Sequence, residues 1–199
     1  MVLAGGRAAR LGGADKASVE LAGTTLLERA LAATPDAAEV VVVGDEVPTS
    51  RPVTWTRENP PGGGPAAGLL AGVDAFTRPP DLVCVLAVDM PRVTVDTVAR
   101  LSAAATDLDA SGQSVDGAVL VDGSGRRQPL AAVYHRSALE TARPRDREDE
   151  AGLPAHVLVA GMRLAEVPAV GEEARDVDTW ADLADLAGPG CLPGPRSSW

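Results

Sequence analysis

Aromatic residues are scarce in this chain, cysteine is nearly absent, and positive charge is in short supply. Aromatics make up 3% of the 199 residues, so Ala, Val and Leu must build any core. The two cysteines, Cys84 and Cys191, stand far apart with no histidine at ligand spacing, which argues against a structural zinc site or a disulfide framework. Cys84 lies in an apolar run and reads as core. The formal net charge is −10. A broad nucleic-acid or anionic-membrane footprint needs clustered positive charge, so neither partner is expected. No run has the length of a membrane span, and the opening Met-Val-Leu-Ala-Gly-Gly lacks the charged region of a signal peptide. The expected compartment is the cytoplasm. His135 and His156 have no sequence partners and read as structural.

The length suits one domain, and 45% hydrophobic with 23% charged residues is ordinary for a globular fold. Short apolar runs alternate with amphipathic segments, the pattern of an α/β layered domain. Residues 2–4 read as the stub of a first strand and residues 5–17 as a glycine- and cation-rich loop. A helix should follow, with Thr25 and Glu28 at capping-box spacing and Leu26, Leu27, Ala30 and Leu31 on one face. Strands are predicted over 39–44 and 53–56. The Pro- and Gly-rich residues 59–65 must be a loop. A helix over 66–76 should turn Leu69, Leu70, Val73 and Phe76 inward. Residues 82–88 are the candidate central strand, followed by a helix over 95–105. Residues 117–121 and 129–134 read as a strand pair around a polar turn. The charged residues 143–150 read as a mobile surface loop. A helix over 153–160, a strand over 163–167 and an amphipathic helix over 179–187 complete a single domain of residues 1–187. The Gly/Pro-rich residues 188–199 read as a disordered tail.

A strand followed by a glycine-rich loop puts backbone N–H groups around an anion. This loop adds Arg7, Arg10 and Lys16, concentrating the few cations of an acidic chain where a triphosphate could lie. It has no Gly-Lys-Ser/Thr, so it is not a Walker A loop, and its glycine spacing is not that of a dinucleotide fingerprint.

The string LAGGRAARLGGADKA resembles the signature L-A-G-G-x-x-x-R-(M/L)-G-G-x-D-K of molybdenum cofactor guanylyltransferases and the wider nucleotidyltransferase family around them. Three weaker segments agree in order. Gly63-Gly64-Pro65-Ala66-Ala67-Gly68-Leu69 resembles the family's G-P-L-A-G-L loop-to-helix element. Ala87-Val88-Asp89-Met90-Pro91 resembles its metal-binding strand end. Asp176-Val177-Asp178-Thr179-Trp180-Ala181-Asp182-Leu183 resembles its C-terminal motif. The similarity runs from Val2 to about Leu186.

The resemblance implies a three-layer, Rossmann-like α/β fold with a mostly parallel central sheet, and GTP over the carboxyl ends of its strands. The nucleotide-binding residues it implies are Leu3, Ala4, Gly5, Gly6, Arg7, Gly13, Lys16, Asn59, Gly64, Pro65 and Gly68. Gly5 stands where relatives with other base preferences carry Ala, a modest lean towards guanine. Arg10 and Lys16 would neutralise the triphosphate, with Lys16 at the α-phosphate. Asp89 would hold Mg²⁺, with Asp178 as second ligand or outer-shell partner. The bland alternative for Asp178 is the N-cap of the last helix. Gln128 falls near family positions that face the acceptor.

The implied reaction is attack of a molybdopterin phosphate on the α-phosphorus of GTP with release of pyrophosphate. The implied state is a monomer or weak homo-oligomer. Cytidylyl or other nucleotidyl transfer to a different small phosphorylated acceptor stays open, as does a non-catalytic nucleotide-binding protein of the same fold. Two departures stand out. Only Met1 and Val2 precede the first motif, and a two-residue stub makes a poor central strand. Asn59 occupies a position where relatives often carry Asp.

Overall fold

The computed structural model describes residues 1–5, 7–8, 14–108 and 112–187, with the backbone alone for residues 7, 8 and 14. The expected tail at 188–199 lies outside the described residues, as do Gly6, Arg10 and Gly13 of the first motif.

The main sheet has seven strands: β1 (Val2–Leu3), β2 (Val41–Val43), β3 (Thr54–Thr56), β4 (Leu82–Ala87), β5 (Gly117–Val121), β6 (Arg127–His135) and β7 (Leu164–Pro168). Their spatial order is β7-β5-β6-β4-β1-β2-β3. Every neighbouring pair is parallel except those made by β6, which runs antiparallel to β4 and β5. This is the mostly parallel sheet the sequence predicts. The stub β1 is central despite its two residues, pairing Val2 with Val42 on one side and Leu86 on the other.

Helices α1 (Leu26–Ala32), α2 (Gly64–Asp74), α3 (Val95–Thr106), α4 (Arg136–Ala142), α5 (Ala155–Leu158) and α6 (Trp180–Ala187) cover both faces. Side chains alternate across a strand, and the core divides accordingly. Leu3, Val41, Val43, Val83, Val85, Val119 and Tyr134 meet Leu69, Leu70 and Leu139 of α2 and α4 on one face. On the other face, Val2 and Val42 meet α1 and α6, and Leu86, Ala118, Leu120 and Val133 meet α3. Each fully buried Leu or Val contributes about 1.5–3 kcal/mol. Tyr134 is the one large aromatic buried among the described residues, and its hydroxyl donates to Pro129 O at 2.8 Å.

Several local expectations change. The Thr25 hydroxyl caps α1 by accepting from Glu28 N. Glu28, however, does not close the box: its carboxylate accepts from Ser50 N and Ser50 Oγ. The reciprocal box forms at α3 instead, between Thr94 and Thr97. Helix α2 starts two residues earlier than predicted, with Pro65 in its first turn, where the missing N–H is harmless. Helix α4 has no counterpart in the prediction, and α5 is shorter than the predicted 153–160.

The charged residues 143–150 lie at the surface as expected, with 145–149 exposed, but they are not all loop. They include a short 3₁₀ helix, Arg147–Glu150, in which Glu150 is buried. Arg143 holds it at 3.3 Å while also bonding Asp74 at 2.9 Å and Leu70 O at 3.1 Å. Composition alone reads the whole segment as solvated; the departure is Glu150, buried beside Arg143.

Candidate functional site

The carboxyl ends of the parallel strands carry the residues the motifs single out. Ala4 N donates to Val43 O and Val88 N to Leu3 O, which locks the end of β1 between β2 and β4. Beyond Leu3 the first motif runs out as a β-ribbon, with Arg7 paired opposite Asp15 and Ala8 opposite Ala14. The ribbon returns the chain to Lys16. Asp15 is the N-cap of the 3₁₀ helix Lys16–Ser18, accepting from Ala17 N at 3.1 Å and from Ser18 Oγ at 3.0 Å. Ala17 is buried beneath it. The Asp-Lys pair of the motif thus has a local logic: the aspartate fixes the turn and the lysine is aimed by it.

Lys16 is the only lysine in the chain. Its Nζ donates to Asp89 Oδ2 at 3.1 Å and to Asp178 Oδ1 at 2.8 Å. Asp89 follows β4, in the turn where Met90 N bonds Ala87 O. Asp178 arrives from the far end of the chain, because Val177 N donates to Asp89 O at 2.8 Å. Three motifs separated by up to 162 residues therefore meet at one ammonium group. The Lys16 side chain is 12% exposed, against 28% for Asp89 and 48% for Asp178. Burial alone pushes the lysine pKa down. The two carboxylates outweigh it and hold the pKa above its ordinary value.

Asp178 is not the helix N-cap. Thr179 takes that part: its hydroxyl accepts from Asp182 N, while the Asp182 carboxylate accepts back from Thr179 N. Asp182 also accepts from Asp178 N. Asp178 is thereby released to face Lys16.

The remaining predicted residues spread along the same edge. Leu3 and Ala4 are buried and Gly5 is exposed. A Cβ on Gly5 would lie 3.6 Å from Val43 O and 4.0 Å from Glu58 Oε2, an ordinary contact. Asn59 is exposed and begins the loop through a cis bond to Pro60. Gly64 and Pro65 open α2. Gly68 is buried in that helix, where a Cβ would meet Leu3 Cδ2 at 3.4 Å, so it sets how closely α2 approaches β1. Gln128 donates to Asp122 at 3.0 Å at the mouth of the β5–β6 hairpin. His135 contacts Ala105 O at 3.0 Å, a structural role as expected.

Glu58 is a residue that sequence reasoning passes over. It follows β3, accepts from Gly62 N at 3.1 Å, and brings its other carboxylate oxygen beside Gly5. Its one sequence signal is its place at a strand end next to the Pro/Gly loop.

A divalent cation would find Asp89 and Asp178 suitably placed, since both already converge within 3.1 Å of one cationic group, the Lys16 ammonium. Magnesium needs one or two carboxylates plus substrate phosphates. Among the described residues no cluster of three His, Cys, Asp or Glu forms a complete protein cage, and none of the described helices is long and apolar enough to cross a membrane.

Known proteins resemble this chain in sequence and in fold. The profile of the MobA-like NTP transferase domain matches residues 1–163. The molybdenum cofactor guanylyltransferase of Burkholderia cenocepacia (strain HI2424) is 35% identical over 203 residues, covering 94% of each chain. The probable molybdenum cofactor guanylyltransferase of Mycobacterium tuberculosis (strain ATCC 25618 / H37Rv) is 38% identical over 144 residues, 67% of this chain and 66% of the relative. Among solved structures, molybdopterin-guanine dinucleotide biosynthesis protein A from Archaeoglobus fulgidus superposes with a TM-score of 0.67 at 22% identity, covering 94% of this chain and 95% of that one. The 2-C-methyl-D-erythritol 4-phosphate cytidylyltransferase of Thermus thermophilus shares the fold with a TM-score of 0.58, also at 22% identity, covering 94% and 95%. This chain belongs to the MobA-like NTP transferase family.

Proposed function

We propose that the protein transfers GMP from GTP to the terminal phosphate of molybdopterin. The observation that carries the reading is the meeting of Lys16, Asp89 and Asp178 at the carboxyl edge of the sheet, in a chain 35% identical along 94% of its length to a molybdenum cofactor guanylyltransferase. An acceptor phosphate oxygen forms the new bond to the α-phosphorus as the bond to the β-phosphate oxygen breaks, and pyrophosphate leaves. Such transfers need positioning and charge neutralisation more than proton chemistry. The phosphate nucleophile is already ionised near neutral pH, so no general base is required.

Lys16 is the chain's own group for the α-phosphate: an ammonium held charged by its neighbours and 12% exposed. Arg10, carried over from the motif, neutralises the phosphates with it. Asp89 and Asp178 hold Mg²⁺. The bound ion supplies charge neutralisation to the triphosphate and the leaving pyrophosphate. Glu58 gives the guanine preference a chemical basis, since a carboxylate beside Gly5 accepts from the N1–H and N2–H of guanine, whereas cytosine offers only its exocyclic amine. The cytoplasm remains the proposed compartment.

The test is calorimetric titration with GTP, CTP, ATP and UTP, each with Mg²⁺, followed by pyrophosphate release on adding molybdopterin. GTP should bind selectively, and Glu58→Gln should weaken GTP by about 1–3 kcal/mol while leaving CTP little changed. Selective binding of CTP would retain the fold and the transfer chemistry but sink the guanylyl assignment.

A further inference from the structure

Glu173 is a buried carboxylate that the transfer chemistry does not use. It lies in the segment between β7 and α6, 8% exposed. Its Oε1 accepts from Thr97 Oγ1 at 2.6 Å, and its Oε2 accepts from Arg100 at 2.5 Å and from Val170 N at 2.7 Å. Arg100 also donates to Pro168 O at 2.8 Å, so one guanidinium holds both the end of β7 and Glu173. Thr97 is fully buried and closes the capping box of α3. The segment is thus clamped to the first turns of α3. From there Val177, fully buried, bonds to Asp89 O, and Asp178 emerges against Lys16. Asp178 belongs to no strand, and its side chain is 48% exposed.

We propose that Glu173, clamped by Thr97 and Arg100, is the positioning residue that sets Asp178 opposite Asp89. Removing the clamp frees the segment upstream of Val177, and Asp178 no longer converges with Asp89 on one cation. This inference rests on the reading of Lys16, Asp89 and Asp178 as the working centre. Burial raises the Glu173 pKa, but Arg100, Thr97 and Val170 outweigh it and keep the carboxyl below its usual range, as a permanently charged clamp requires.

The single lysine makes the test direct. Full-length protein labelled with ¹³C-lysine gives one lysine Cε resonance, that of Lys16. Glu173→Ala should move it towards its position in Asp178→Asn, and should lower kcat by roughly 10–100-fold, the range for groups that orient metal ligands. In the Asp178→Asn background, Glu173→Ala should cost nothing further. Thr97→Val, which removes one clamp bond together with the Thr94 N bond that closes the α3 capping box, should shift the resonance part of the way and replaces Glu173→Ala if that variant fails to fold. Leu139→Ala, a core truncation on the opposite face of the sheet, serves as a destabilised control and should leave the resonance in place. An unmoved resonance in Glu173→Ala, or losses that add in the double variant, overturn the proposal. The resonance is read without turnover. If it moves while GTP fails as substrate, the positioning stands and only the guanylyl assignment falls.

Discussion

The Lys16 ammonium sits between two carboxylates, and its removal has two separable consequences. Lys16→Met should lower kcat by about 10²–10³-fold, the range for removing one preorganised charge partner of a transition state, measured as pyrophosphate release with saturating substrates. It should also leave Asp89 and Asp178 facing each other without a cation. The pH dependence follows from the sign of the shift. The folded pKa of Lys16 is raised, so its stabilising contribution is complete below the unfolded value, about 10.4, and is lost as pH rises through the folded value. The difference in Tm between wild type and Lys16→Met should therefore be flat from about pH 6 to 9 and shrink only in strongly alkaline buffer. Glu173 behaves in the opposite sense. Its folded pKa is lowered, so its contribution is complete above the unfolded glutamate value, about 4.3, and falls away as pH drops through the folded one. The destabilisation caused by Glu173→Gln should vanish in acid. A Tm difference that instead grew below about pH 4 would contradict the clamp.

At the scale of elements, close approach decides which small residues can change. Gly117 begins β5 with φ of +156°, and a Cβ there would sit 2.4 Å from Val133 O. The neighbour is backbone of β6 and cannot yield cheaply. Gly117→Ala should cost about 1–3 kcal/mol, read from the midpoint of a urea transition. Gly68 is more forgiving, because the contact at 3.4 Å is the end of a Leu3 side chain. Gly68→Ala should shift the midpoint little and register chiefly in nucleotide affinity, through a small displacement of α2 from β1. The clamp on residues 147–150 belongs to this scale too. Arg143→Ala strips the buried Glu150 of its ion-pair partner and frees the carbonyl of Leu70. The bond from Arg143 to Asp74 is lost with it, and faster proteolytic cleavage in this charged stretch is the expected result.

Across the whole molecule, the charge of −10 sets how a polyanionic substrate can be held. A free nucleoside triphosphate approaches a protein of its own sign, so affinity must come from local cations and from a metal that lowers the ligand's charge. Chelation of Mg²⁺ with EDTA should weaken GTP binding by at least about tenfold and abolish turnover, and added Mg²⁺ should restore both. Equal affinity with and without the metal, measured calorimetrically, would remove Asp89 and Asp178 from the proposed metal site. The layered sheet makes such a site feasible, because four neighbouring parallel strands, β4, β1, β2 and β3, deliver their carboxyl ends to one edge.

The sequence by itself determined the class of fold, the apolar strands, most helix positions and the identity of the Lys16 and Asp89 motifs, because these depend on local periodicity, on turn chemistry and on short strings of residues. It could not show that a two-residue strand is central, since β1 is held by hydrogen bonds to partners some 40 and 84 positions away in register. Nor could it free Asp178 from the helix cap, bury Glu150, or find Glu58 and Glu173. Asp178 reaches Lys16, Glu173 reaches Arg100, Arg143 reaches Asp74 and Glu58 comes beside Gly5 across long stretches of chain, whereas the Thr179–Asp182 cap and the Arg143–Glu150 pair are local. Only packing the layers around the sheet brings the distant groups within reach, and that is what the tertiary structure decides.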